Sequence, residues 1–125
     1  LMERLHLQPK QEPDWNGWEM LITETRRKRP KVSIALVGKY VELHDAYISV
    51  REALKHASLF LGLDLDLKWV HSADLENEDN LEKLKNVSGI VVPGGFGSRG
   101  IEGKIAAARF ARVNKVPYFG LCLGM

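Results

Sequence analysis

The 125-residue sequence contains one cysteine, Cys122. A single thiol excludes an internal disulfide framework and any metal site built on several cysteines. It fits a reducing compartment, so a cytoplasmic location is expected. No apolar run approaches the roughly 18 residues that a membrane helix needs. The first ten residues (LMERLHLQPK) mix polar and apolar types and lack the pattern of a signal peptide. Charge imbalance is slight: 18 Lys and Arg against 16 Asp and Glu leave +2, which gives no electrostatic ground for a nucleic-acid partner. Repeats and low-complexity segments are absent. Acidic residues stop at Glu102.

The remainder reads as an ordinary globular chain, 45% hydrophobic and 27% charged, long enough for one domain. Residues 1–30 stand apart. They hold Pro9, Pro13 and Pro30, Trp15 and Trp18, and the basic run Arg26, Arg27, Lys28, Arg29. Trp15, Trp18 and Ile22 at helical spacing predict a short helix between Pro13 and Thr25, with Asp14 as its N-cap. The region is expected to be a linker packed against something outside this chain, and the basic run a solvated linker end. The sequence opens on Leu1 and closes on the apolar run GLCLGM, so it is expected to be a fragment.

From Lys31 onward the pattern is α/β. Val32–Val37 is a continuous apolar run, as in a strand buried on both faces. Asp45 to Leu61 carries helical period, with Tyr47, Val50, Leu54, Ala57 and Leu61 on one face. Leu65–Val70, Gly89–Val92 and Pro117–Leu121 are further strands. Leu81–Leu84 falls in a short charged helix. Ile101–Val113 is helical, with Ile101, Ile105 and Ala108 on one side. The order predicts a doubly wound parallel sheet. Ligands in such sheets bind beyond the carboxyl ends of the strands. Gly38–Asp45, Pro93–Gly100 and Gly120–Met125 occupy those ends.

Gly120-Leu121-Cys122-Leu123-Gly124 has the form of a strand-turn-helix elbow with Cys as the nucleophile. Side chains two positions either way would clash on so tight a turn, and glycine removes the clash. A following helix would lower the thiol pKa and offer backbone N–H groups, that of Leu123 first. The alternative is a small buried cysteine at a strand end. Gly95-Phe96-Gly97-Ser98-Arg99-Gly100 matches G-x-G-x-x-G, the dinucleotide fingerprint. It follows the third strand instead of the first, and no acidic residue stands about 20 positions on to hold a ribose. Nicotinamide or flavin binding there is therefore disfavoured. Gly94 and Gly95 can instead bring backbone close to a substrate oxygen, as a second oxyanion donor.

GIVVPGGFGSRGIEGKI and PYFGLCLGM together resemble the class I glutamine amidotransferases. VGKYVELHDAYISVREALKH, with PGGFGSRGIEGKIAAARFAR, resembles the CTP synthase family in particular, over residues 32–125. The Trp-bearing leader resembles that family's interdomain linker. The resemblance implies that Cys122 forms a γ-glutamyl thioester from glutamine and releases ammonia. It implies that Gly95 and Leu123 hold the oxyanion beside Gly94, and that Gly124 and Met125 shape the glutamine pocket. Ammonia would pass to a synthetase domain outside this chain, where ATP and magnesium drive amination of UTP to CTP. No cofactor is expected in residues 1–125. GTP would act as effector, with Phe96, Lys39 and Tyr40 as its candidate contacts. For Phe96 the alternative is a loop aromatic packed on its own domain. A homo-oligomer is implied. The family's catalytic His and Glu lie downstream of the nucleophile. Of the four histidines, His6, His56 and His71 need no catalytic reading, and His44, in a carboxyl-end loop, lacks an acidic partner to orient it. This chain alone is therefore expected to be inactive. A glutaminase domain of another ammonia-using synthetase, or a non-catalytic nucleotide-binding module, are the competing readings.

Overall fold

The computed structural model describes residues 2–8, 11 and 13–125. Pro9, counted among the leader prolines, lies outside the described residues, as do positions 1, 10 and 12.

Four parallel strands form the sheet: β1 (Lys31–Gly38), β2 (Asp64–His71), β3 (Gly89–Val92) and β4 (Tyr118–Gly120), in the order β2-β1-β3-β4. β1 pairs with β2 along its whole length and with β3 from Ile34 to Leu36. Successive side chains of a strand face opposite ways, and β1 uses both directions. Ala35 and Val37 join Val70, Ile90 and Val92 in one core with Leu75, Leu84, Ala107 and Ala111. Leu36 faces the other way, into a smaller cluster with Val41 and Tyr47. Burial on both faces is why VSIALV reads as an unbroken apolar run. Each fully buried Leu or Ile contributes about 1.5–3 kcal/mol.

Helix α2 (Ile48–Phe60) covers the Leu36 face, preceded by a 3-10 turn at His44–Tyr47. The helix expected over Asp45 to Leu61 is thus divided. Of its anticipated inner face, Tyr47 is buried, Val50 and Leu54 are half-buried, and Ala57 and Leu61 are exposed. Helix α3 (Ile101–Asn114) covers the opposite face. Its buried positions are Gly103, Lys104, Ala107 and Ala111, in place of the expected Ile101, Ile105 and Ala108. Small residues win the inward face because the backbone comes very close there: a Cβ on Gly103 would lie 1.6 Å from the Ser72 carbonyl oxygen. Between β2 and β3 run two 3-10 segments, Ser72–Glu76 and Glu78–Leu84, where one short helix was expected. They are capped by His71 and Asn77 side chains.

Helix α1 (Asn16–Arg26) buries none of its residues, and Trp15 and Trp18 remain well exposed. Its cap position is Trp15; the Asp14 carboxylate instead accepts the Asn16 N–H at 3.0 Å. The basic run is only partly solvated. The Arg29 side chain is 5% exposed. It pairs with Glu24 at 2.8 Å and donates to the Leu59 carbonyl at 3.3 Å. No helix among the described residues is long and apolar enough to cross a membrane.

Candidate active site

The strand order reverses direction between β1 and β3. That switch opens a crevice at the carboxyl end of the sheet. Three chain segments meet beside it: the turn after β1, the loop after β3 and the turn after β4.

Cys122 begins a three-residue 3-10 turn, Cys122–Gly124, directly after β4 and Leu121. Its φ is +55°, in the left-handed region that non-glycine residues avoid. The thiol is exposed, so the buried-cysteine alternative does not describe it. Leu121 N–H donates to the Val92 carbonyl at 3.0 Å, which ties the turn to β3. Both flanking glycines are sterically required. A Cβ on Gly120 would lie 2.2 Å from the Gly124 carbonyl oxygen, and one on Gly124 would lie 1.8 Å from that of Val92. The expected helix after the cysteine is, in the described chain, this single 3-10 turn.

The loop after β3 lies against the thiol. A Cβ on Gly94 would be 3.3 Å from the Cys122 Cβ and 3.6 Å from its Sγ. Gly95 follows with φ +137°, Gly97 with +94° and Gly100 with +77°. Gly97 and Gly100 serve the protein's own packing. A Cβ on Gly97 would meet Lys39 Nζ at 2.9 Å, and one on Gly100 would meet Ser72 Oγ at 2.3 Å. The second and third glycines of the G-x-G-x-x-G spacing therefore have an internal explanation. Among the described residues, the N–H groups of Gly95 and Leu123 have no backbone acceptor.

Two buried lysines hold this loop. Lys39, 6% exposed, donates from Nζ to the carbonyls of Phe96 (2.7 Å) and Gly97 (3.3 Å). Lys104, 5% exposed, donates to those of Pro93 (2.9 Å) and Gly94 (3.4 Å). Burial and then the Lys39 charge lower the Lys104 pKa, and Cys122 opposes that shift. Lys104 escaped the sequence reading because a lysine in a helix is ordinarily solvated; only its place just after the glycine loop could have signalled it. Tyr118 was also missed. Its hydroxyl donates to the Gly124 carbonyl, and burial raises its pKa.

The effector candidates are placed unequally. Phe96 is 85% exposed, so the described residues do not pack around it. Tyr40 is 42% exposed. The Lys39 ammonium is occupied by the loop. Met125 is exposed, whereas Gly124 is buried. Leu123, Gly124 and Met125 line a cavity with Tyr118 and the α3 residues Ile101, Lys104 and Ile105. His44 stacks on Trp69 with ring centroids 4.6 Å apart. Trp69 belongs to β2, at the opposite edge from β4, so His44 is directed away from the thiol. His71 accepts the Ala73 N–H at Nδ1 and lies 3.5 Å from Glu42 through Nε2.

The pattern of class I glutamine amidotransferases matches residues 42–125. The CTP synthase of Roseiflexus sp. (strain RS-1) is 58% identical over 125 residues, covering all of this chain and 22% of that protein. The CTP synthase of Dehalococcoides mccartyi (strain ATCC BAA-2100 / JCM 16839 / KCTC 5957 / BAV1) is 53% identical over the same length, 23% of its own. This chain thus spans under a quarter of these relatives. The structure is similar to that of the glutaminase domain of Trypanosoma brucei CTPS with bound acivicin. The TM-score is 0.71 at 45% identity, over 76% of this chain and 38% of that one. With the family pattern running through most of its length, up to and including the Cys122 turn, the chain belongs to the class I glutamine amidotransferases.

Proposed function

We propose that this chain is the nucleophile-bearing part of the glutaminase half of a CTP synthase. The observation that carries the reading is Cys122, held at φ +55° in an exposed turn with Gly94 against it. Left-handed residues elsewhere in the chain, such as Lys115 at the end of α3, are turn positions; at Cys122 the same backbone presents a thiol to a glycine loop.

The Cys122 thiolate attacks the γ-carbonyl carbon of glutamine. The carbonyl π pair moves to oxygen, and the N–H groups of Gly95 and Leu123 receive the oxyanion. As the tetrahedral adduct collapses, the C–N bond breaks and the nitrogen takes a proton. Ammonia leaves, and a γ-glutamyl thioester remains. Water then attacks the thioester, giving glutamate and the free thiol. The sum is glutamine plus water to glutamate plus ammonia. The proton carrier is the His and Glu pair that the resemblance puts downstream of the nucleophile. Residues 1–125 alone are therefore expected to release no ammonia. In the parent, ammonia is consumed by ATP-dependent amination of UTP in a domain outside this chain, and GTP acts as effector near Phe96 and Tyr40.

The test is glutamine hydrolysis by the full-length parent. Wild type should release ammonia and aminate UTP, and Cys122→Ala should lose hydrolysis while still using added ammonium salt. Hydrolysis undiminished in Cys122→Ala would refute the nucleophile. Amination of another acceptor in place of UTP would point to a different synthetase.

A further inference from the structure

We infer that Lys104 is a positioning residue for the oxyanion loop, setting the direction of the Gly95 N–H through the Gly94 carbonyl. The inference rests on the glutaminase reading above.

The argument starts from the planar trans peptide, in which C=O and N–H point opposite ways. Lys104 Nζ draws the Pro93 carbonyl to 2.9 Å and the Gly94 carbonyl to 3.4 Å. Fixing the Gly94 carbonyl on the α3 side turns the Gly95 N–H to the other side of the loop. Without that anchor the segment is free to rotate, because Gly94 and Gly95 impose little restriction on φ and ψ. Either peptide orientation is then accessible, and one of them puts a carbonyl where a donor is needed. A Cβ on Gly95 would lie 3.8 Å from Lys104 Nζ, so the ammonium sits directly beneath the peptide concerned.

The lysine is itself held in place. It is 5% exposed on the buried face of α3, between Gly103 and Ala107. Burying an ammonium is costly unless carbonyls solvate it, and the two loop carbonyls do so. Lys39 holds the far end of the same loop through the Phe96 and Gly97 carbonyls. The loop is thus fastened at both ends by cations, leaving the Gly94–Gly95 peptide as the part whose orientation Lys104 decides. Cys122 lies near enough to oppose the lowering of the Lys104 pKa.

The test uses the full-length parent and compares wild type, Lys104→Met and Lys104→Arg. Lys104→Met should lower kcat for glutamine hydrolysis about tenfold to a hundredfold, below the usual loss on deleting an oxyanion donor. Its KM for glutamine should stay within about threefold, since the ground-state amide makes little use of the oxyanion site. Amination with added ammonium salt should be unchanged. Lys104→Arg, which still donates, should recover part of kcat. Unchanged hydrolysis in Lys104→Met overturns the inference, as does a rise in KM at constant kcat. If Lys104→Met loses ammonium-dependent amination too, Lys104→Arg decides: restored amination with intermediate kcat supports the inference, and parallel loss of both rates overturns it. If wild type itself releases no ammonia, the glutaminase reading fails instead.

Discussion

Gly124 approaches the Val92 carbonyl oxygen so closely that a Cβ would lie 1.8 Å from it. The obstacle is backbone of a buried strand, so a methyl group cannot be accommodated by turning a side chain. Gly124→Ala should destabilise the parent's glutaminase domain by about 3 kcal/mol or more. Thermal unfolding checks this. A melting temperature within a degree of wild type would contradict the steric reading of the elbow.

Tyr118→Phe removes the donor to the Gly124 carbonyl without changing ring volume. The expected cost is about 0.5–1.5 kcal/mol. Glutamine hydrolysis should fall more than ammonium-dependent amination, because the bond fixes the turn that carries Cys122.

The Lys104 ammonium should titrate below the ordinary lysine value of 10.5, chiefly because it is buried, with Lys39 adding repulsion and Cys122 opposing. Below its folded pKa, the buried charge costs stability. As pH rises from that value toward the unfolded one, the folded state releases its proton first and this cost is relieved. Activity should run the other way. Glutamine hydrolysis should decline in the same alkaline window as the loop loses its charged anchor. In Lys104→Arg, which does not titrate there, that decline should be absent. A kcat profile against pH for both proteins tests the assignment.

Phe96→Ala should leave stability within about 0.5 kcal/mol, since the ring is 85% exposed. If the ring serves an effector, the ratio of hydrolysis with and without GTP should drop toward one. An unchanged ratio would remove Phe96 from the effector site.

The strands were legible because burial on both faces leaves a plain mark: Gly89–Val92 was located to the residue, and β1 and β2 to within one at each end. The elbow was legible because its spacing names a tight turn and Gly120 answers to the Gly124 carbonyl four residues on, although the contact that requires Gly124 itself, with Val92, is long-range. The inward face of α3 was not. Apolar periodicity favoured Ile101, Ile105 and Ala108, but close approach of Gly103 to the Ser72 carbonyl decided the rotation. That contact joins parts of the chain far apart in sequence. Lys104 was hidden for the same reason: its partners are main-chain carbonyls, which carry no sequence signature. The 3-10 segments between β2 and β3 read as helix because charge and leucine spacing do not separate the two windings.

The left-handed backbone of Cys122 sets stability against function at one position. A β-carbon in that region costs about 1–2 kcal/mol, and glycine would escape it. Cys122→Gly should therefore melt no lower than Cys122→Ala, although it removes more atoms. Drift toward a sturdier fold would favour discarding the thiol. A thiol kept at that angle for the glutamine chemistry proposed above holds its place against the preference of the chain.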